Sequence, residues 1–533
     1  MATLIPKYDQ GGTGAVNRPI NLKLAESVSV LDFGADPTGV ADSTAAFNLA
    51  TNAAHAGTGL FDQDFPGGVF VPAGVYKLSG TVYVHKGQHL YGVGAGASKI
   101  DASGMTGASV PVFKMGFSAS GEDVGGLAPE ISEIWCYGGP VSYPVIEATV
   151  AGAFIHDVFM TSPGIGIRIT GGDILVSNVI IDQAQKGIEL AGQNNCISDV
   201  LFYNMNYGIY ISSNTFDCQI NNCHFEYQEF TDIIFDTAAT NIQNVTIQGC
   251  QFVTNEQYST KVATIDIRSA GSSITIQGCQ FRNGKGFAIA KTTGIGGNIT
   301  VYNCVFNGLK TNPAYAQSTT AAGIDISFAN FNISNCQFVN LLDYPIFTNG
   351  TISYSSTITN CTYSNNSAAY FATVSATVGG LTINGCQGDG VTPLINLQSS
   401  MGVALNNNLF WLGAAQTASS RYYWNIPTQN GELVQISIVA NTNVGGNTEY
   451  RSTGTYIASR NINFSGTNIT DYAALTTVYA YAGTAYAGAL APQLDLSTVG
   501  GGASATYTVA GKYLVISVPN TYDFVEIKVD YLT

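Results

Sequence analysis

The chain has 533 residues, only 10% of them charged, with 60 glycines and a net charge of −15. So acidic a balance excludes a nucleic-acid partner, which needs a basic face, and disfavours docking on an anionic membrane. Apolar residues at 45% exclude disorder, and no apolar run reaches the roughly 18 residues that membrane insertion takes.

Residues 1–26 read as a polar, Gly-rich leader, Lys7-Tyr-Asp-Gln-Gly-Gly-Thr-Gly-Ala-Val-Asn-Arg18 followed by Asn21-Leu-Lys-Leu-Ala-Glu26. The stretch is too short for a domain and suits an attachment peptide that orders against a partner, or else a free tail. Its start has no apolar core of a signal peptide. If the protein acts outside a cell, the expected route is release of assembled particles by lysis.

Residues 27–110 open a β-rich body. Ser43 and Thr44 are N-cap types, and Ala45, Ala46, Phe47, Leu49, Ala50, Ala53 and Ala54 give a small apolar helix. That helix, over 43–55, is expected to cover the open end of a solenoid. Gly67-Gly-Val-Phe-Val-Pro-Ala-Gly-Val-Tyr76 reads as strand, turn and strand, and the first coil edges follow at 89–102.

Residues 111–412 carry one phrase twelve times between Ile131 and Phe410. The clearest copies are Ile220-Asn-Asn-Cys-His-Phe225, Ile247-Gln-Gly-Cys-Gln-Phe252, Ile276-Gln-Gly-Cys-Gln-Phe281, Val301-Tyr-Asn-Cys-Val-Phe306 and Ile333-Ser-Asn-Cys-Gln-Phe338. Copies recur every 21 to 32 residues, a solenoid period. Alternating apolar positions make the phrase a short strand with one buried face. A second strand follows in each coil, as in Gly208-Ile-Tyr-Ile211 and Gly323-Ile-Asp-Ile326. The expected fold is all-β, a parallel β-helix with adjacent coils about 4.8 Å apart. Six cysteines, Cys223, Cys250, Cys279, Cys304, Cys336 and Cys361, hold one repeat position, and Cys386 continues the series. Neither disulfide pairs nor zinc spacings emerge. Free, buried thiols acting as small apolar fillers are expected. No metal site and no cofactor are indicated.

After Phe410 the cadence breaks. Residues 413–533 alternate strands with Gly/Asn turns and suit a β-sandwich, on the simplest reading a monomeric cap.

The opening motifs Val28-Ser-Val-Leu-Asp-Phe-Gly-Ala-Asp-Pro-Thr-Gly, Asp42-Ser-Thr-Ala-Ala-Phe47, Val69-Phe-Val-Pro-Ala-Gly-Val-Tyr76 and Leu90-Tyr-Gly-Val-Gly-Ala-Gly96 resemble the start of the pectate-lyase-like superfamily. The leader Tyr8 to Arg18 resembles that of bacteriophage tailspikes built on this fold. The resemblance implies a right-handed, single-stranded β-helix in a homotrimeric spike on the virion, joined to a phage tail or baseplate protein through its N-terminus. It further implies a spike that binds, and usually depolymerises, a bacterial surface polysaccharide, capsule or O-antigen, with a C-terminal domain that holds subunits together or contacts carbohydrate. The family fixes no catalytic residue in sequence, so none is carried over, and a trimer rests on the resemblance alone.

The residues themselves supply the candidates. Outward positions stack as inward ones do, and acidic and aromatic residues concentrate on the coils from about 182 to 285. Glycosidic hydrolysis needs two carboxylates, about 5 Å apart for retention or 6.5–9.5 Å for inversion. Adjacent and next-but-one coils offer those spacings. Glu226, Asp236 and Asp266 are the candidate catalytic carboxylates, with Asp266 and Asp325 two coils apart. Tyr203, Tyr210, His224, Glu229, Arg268 and Arg282 are the candidate substrate contacts. An Asp236–Arg268 pair could equally be a surface ion bridge, and Glu226 beside His224 a solvated face. A lyase would use Arg268, Arg282 or His224 as base, though no dense Asp cluster marks a calcium site. A non-catalytic glycan adhesin is the alternative of a different class.

Overall fold

The computed structural model describes residues 6–20, 23, 27–55, 67–118, 121–122, 128–253, 262–284, 286–293, 296–308, 321–327, 329–341, 344–348, 352–364, 372–374 and 378–388, and beyond these the backbone of ten strands between 395 and 532. The chain divides into two compact units, Met1–Tyr258 and Ser259–Thr533.

In the first unit, Lys7–Tyr8 pairs antiparallel with Arg18–Pro19. The Asp-Pro-Thr-Gly motif then explains itself. The Asp36 carboxylate accepts from the backbone N–H groups of Thr38, Val40 and Ala41 and from the Thr38 hydroxyl, at 2.7–3.1 Å. Four such donors, Ala41 foremost, hold its carboxyl down at about 2. The expected helix spans Thr44–His55 and buries Ala46, Phe47, Ala50, Thr51 and Ala54. It lies against the strands Val28–Ser29, Val69–Phe70 and Val82–Val84, with the Phe47 ring edge-on to Tyr76 at 5.5 Å. Asp42 accepts from Thr44 N–H and so satisfies one free donor of its first turn. Ser43 turns away, its hydroxyl accepting from the Asp36 N–H.

Beyond the helix each coil contributes one strand to each of three parallel sheets, joined in register. One coil shows the pattern: Gln219–Asn221 in the first sheet, His224–Glu226 in the second, Thr231–Phe235 in the third. The repeated phrase is therefore not one strand. Its Ile lies in the first sheet and its Phe in the second, with a corner between them. The reason is the residue before the cysteine. Asp157, Asn178, Asp199 and Asn222 all sit there at φ 51–55°, the left-handed region that Asn and Asp tolerate best among residues with a side chain. Chain direction changes there, and two outward residues, Asn221 and Asn222, separate the buried Ile220 from the buried Cys223. The other two corners use the same device: Ser162, Gln183, Asn204 and Tyr227 between second and third strands, and Asp173, Asn194, Asp217 and Asn244 before the next first strand. Corner side chains also bond from coil to coil, Asn194 to Asp173 at 3.2 Å and Asn244 to Asp217 at 2.9 Å. Gly249 replaces Asn at φ 65°, and a Cβ there would lie 2.6 Å from the Asn222 side-chain oxygen.

Inside, like stacks on like. Phe202, Phe225 and Phe252 lie face to face at 4.6 and 4.9 Å, each essentially without exposure. Cys223 and Cys250 fill the corner beside them, their thiols pointing at the carbonyls of Asn221 and Gln248.

The second unit repeats the architecture. Its first-sheet strands run from Ser272–Gln277 to Val403–Asn406, its second-sheet strands from Gln280–Arg282 to Thr362–Ser364, and its third-sheet strands from Ala263–Ile267 to Ile395–Leu397. Phe306 lies between Phe281 and Phe338 at 4.8 Å from each. All ten cysteines of the chain are free, Cys196 alone half-buried and the rest buried. The twelfth phrase contributes only its first half: Val403–Asn406 joins the first sheet, while Leu409–Trp411 leaves and pairs antiparallel with Phe524–Leu532. From there the chain forms two antiparallel sheets. One has five strands, with Leu433–Asn443 between Glu449–Ser459 and Phe524–Leu532; the other has three, centred on Tyr513–Val518.

Candidate active site

In each second-sheet strand the middle residue faces in and its two neighbours face out. Ile181, Phe202 and Phe225 are buried, leaving Ile180 and Asp182, Leu201 and Tyr203, His224 and Glu226 on the outer face. Register then builds two outward rows. One runs Trp135, Phe159, Ile180, Leu201, His224 and Gln251; the other runs Tyr137, Thr161, Asp182, Tyr203, Glu226 and Val253. This single face of the first unit brings together three of the sequence candidates, Tyr203, His224 and Glu226.

The face has an aromatic end and an acidic end. Trp135 stacks on Phe159 at 5.1 Å, its indole N–H donates to the Thr161 hydroxyl at 2.8 Å, and the Lys99 ammonium lies 4.5 Å from its ring. Trp135, Thr161 and Lys99, with Tyr137 and Ser162, line a cavity of about 540 Å³. Further along, Tyr203 stands between Asp182 on one coil and Glu226 on the next. Two coil steps separate the carboxylates, roughly 9–10 Å along the sheet. Burial raises the Asp182 carboxyl, against a backbone hydrogen bond from Gln183 that lowers it. Its Oδ1 is buried and accepts no hydrogen bond among the described residues. Glu226 is partly exposed and has His224 Nε2 at 3.3 Å from Oε2. The next residue, Tyr227, occupies the corner where other coils place Ser, Gln or Asn, with φ 63°. A bulky side chain in that conformation is a backbone outlier. Its ring meets Tyr203 edge-on at 5.4 Å, and the Glu226 charge raises its phenol.

Tyr210 belongs elsewhere, to the third sheet, and Asp236 directly follows the third-sheet strand Thr231–Phe235. Lys114, Glu147, Arg168, Glu189 and Tyr210 are successive outward residues there. The ladder alternates in sign: Lys114 lies 3.7 Å from Glu147, Arg168 is 3.6 Å from Glu147 and 2.6 Å from Glu189, and Lys186 is 3.1 Å from Glu189. Burial would raise the Glu189 carboxyl, but Arg168 and Lys186 outweigh it and hold it low. The Lys186 ammonium also lies 3.8 Å from the centre of the Tyr210 ring, and the Tyr210 hydroxyl donates to Asp236. Asp236 further accepts from the Thr237 hydroxyl at 3.0 Å. Glu229 is half-buried in the turn before Thr231–Phe235.

The remaining candidates lie in the second unit. Asp266 was expected on an outward face, yet it is fully buried. The reason is local: every residue of Ala263–Ile267 and of Phe287–Lys291 is buried, so both faces of the third sheet are covered there. Asp266 accepts from Arg268 Nε at 2.8 Å and from the Thr292 hydroxyl at 2.5 Å. Asp325 stands two strands away in the same register, with Ala290 between. Burial pushes the Asp325 carboxyl up to about 6 against hydrogen bonds from Ser327. Arg282 is exposed on the second sheet and donates to Gln280.

Sequence reasoning passed over Asp182. Its signal was available, since it occupies the outward position two coils before Glu226. What was missing was the corner that splits each phrase and aligns those rows.

Residues 164–331 match the family model described as right handed beta helix region, and residues 27–120 match the one described as rhamnogalacturonase A/epimerase, pectate lyase-like. The fold is thus a right-handed parallel β-helix, and its opening is similar to the pectate-lyase-like family model. Among solved structures it is similar to a mutant tailspike protein of E. coli bacteriophage HK620 in complex with a pentasaccharide, at 12% identity and TM-score 0.49 over 98% of this chain and 96% of that one. It is similar also to the catalytic unit of an alpha-1,3-glucanase from Streptomyces thermodiastaticus (17%, TM-score 0.46, 72% of this chain and 68% of that one). A third is the A-module of the mannuronan C-5 epimerase AlgE6 from Azotobacter vinelandii (14%, TM-score 0.45, 71% and 99%). No curated protein matches the chain in sequence.

Proposed function

We propose that this protein is a phage tailspike that binds a bacterial surface polysaccharide, capsule or O-antigen, and cuts it by glycosidic hydrolysis on the outer face of the second sheet. The observation that carries the reading is the row Asp182, Tyr203, Glu226. It sets a carboxyl whose proton affinity burial raises two coils from the partly exposed Glu226 carboxylate, with an aromatic ring between them. Side chains leaning together across two coil steps reach the 6.5–9.5 Å separation of an inverting enzyme. Asp182 gives its proton to the glycosidic oxygen as the C–O bond breaks. Glu226, oriented by His224, takes a proton from a water whose oxygen attacks the opposite face of the anomeric carbon. The products are a hemiacetal of inverted configuration and a free sugar hydroxyl. Tyr203, Tyr227 and the Trp135 end of the face supply rings for sugars to stack on. The leader that resembles those of tailspikes supports attachment to a phage tail or baseplate through the N-terminus, and a homotrimer.

One observation favours a second location. Asp325, raised by burial to about 6, stands in register with Asp266 across Ala290 in the second unit, a second carboxyl pair at two-coil spacing. Variants decide between them. Asp182→Asn and Glu226→Gln should each lower turnover of a cleaved polysaccharide by roughly 10²–10⁴-fold while leaving binding within a few-fold, with Asp325→Asn near wild type. The converse result moves the chemistry to Asp266 and Asp325. Turnover unchanged in all four single variants, Asp266→Asn included, removes both.

A further inference from the structure

We propose that the first sheet of the first unit carries a divalent transition-metal site, of zinc type, formed by His89, Glu130 and His156. The chain has only five histidines, and two of them meet here on one carboxylate. His89, Glu130 and His156 come from three successive strands, His89–Tyr91, Glu130–Ser132 and Phe154–His156. Register sets His89 beside Glu130, and Ser132 beside His156. Glu130 Oε1 lies 2.7 Å from His156 Nε2 and 3.4 Å from His89 Nε2. One ligand atom from each residue falls within 4.8 Å of the other two, so a single ion between them reaches all three at the usual 2.0–2.2 Å with small side-chain shifts.

The surroundings are those of a ligand set. His156 Nδ1 lies 2.7 Å from Asp157 Oδ2, and the Asp157 carboxylate in turn accepts from the Asn178 side chain. A carboxylate on the far nitrogen fixes the ring and leaves Nε2 directed at Glu130, the arrangement that supports metal-bound histidine. His89 Nε2 also meets the Ser132 hydroxyl at 2.7 Å, which an ion would displace into an outer position or take as a weak ligand. Two imidazole nitrogens and one carboxylate oxygen suit Zn²⁺ better than Ca²⁺ or Mg²⁺, which prefer oxygen throughout. All three residues are half-buried, so water completes the coordination. Without the ion, protons on the imidazoles bridge the same atoms, and metal binding releases them.

The site ties together three neighbouring first-sheet strands near the start of the β-helix, so an ion bound there stabilises the opening of the solenoid. The test uses the full chain, stripped with chelator and titrated with Zn²⁺ alone by calorimetry, with Co²⁺ absorption as a second probe. The expected result is one ion per chain, a rise in Tm on addition, and four- or five-coordinate Co²⁺ bands. Glu130→Gln and His156→Ala should abolish the ion and the Tm response, and Asp157→Asn should weaken affinity roughly 10–100-fold. His224→Ala should retain both. Should His156→Ala fail to fold, His89→Gln and the wild-type Co²⁺ spectrum carry the same decision. Absence of Zn²⁺ binding at millimolar concentration, or binding that survives Glu130→Gln and His89→Gln, overturns the proposal.

Discussion

Tyr227 holds a backbone conformation at φ 63° that the equivalent corners give to Ser162, Gln183 and Asn204. Strain of this kind costs about 1–3 kcal/mol and persists where surrounding structure imposes it. Tyr227→Asn should therefore raise Tm, because Asn adopts the conformation readily, while cutting glycan affinity or turnover about tenfold through loss of the ring against Tyr203. A Tm that falls would show that the ring's packing outweighs the strain. Asp325 offers a pH test at the same scale. Its carboxyl is raised from about 3.8 in the unfolded chain to about 6 in the fold, so the stability it contributes is complete below about 3.8 and lost as pH rises through about 6. Asp325→Asn should leave Tm unchanged near pH 3.5 and raise it by about 1–3 °C at pH 7.5, measured by differential scanning calorimetry. An equal effect at both pH values would refute the burial account.

At the level of elements, the strand–corner–strand unit explains what was legible and what was not. Periodicity shows which residues face inward, since Ile220, Cys223 and Phe225 are all buried. Read as a single strand, the phrase is two, and the three-residue step from Ile220 to Cys223 marks the corner between them. Asn222, a residue tolerant of positive φ at that break, was the available signal. The outward map held on the second sheet at His224 and Glu226, where short strands keep one face open. It failed at Asp266, where the third-sheet strands are buried on both faces, and local alternation carries no information on such burial. The inner ladders differ in weight. Phe306, stacked on both sides, should cost about 3–5 kcal/mol as Phe306→Ala. Cys304→Ala, removing a small atom with weak thiol contacts to the Ile276 and Tyr302 carbonyls, should cost about 1 kcal/mol. Urea unfolding of the two variants checks the order, and equal costs would contradict a phenylalanine-led core.

For the whole molecule, fold class was readable because a solenoid writes its repeat into the sequence, and the matches at 27–120 and 164–331 agree with it. The place where the helix ends was less so: the last phrase looks complete, yet Leu409–Trp411 pairs with Phe524–Leu532, more than a hundred residues away. Assembly follows from the spike reading, which expects a solution mass of three times the 56.0 kDa chain by light scattering; a stable monomer at micromolar concentration would count against it. The most direct measurement is the anomeric configuration of newly released ends, followed by NMR as the protein digests a panel of capsule and O-antigen polysaccharides. The account predicts oligosaccharides carrying one added water per cut, with the new hemiacetal first appearing in the configuration opposite to that of the bond cleaved. Unsaturated ends, or glycans bound and left intact, would contradict hydrolysis by Asp182 and Glu226.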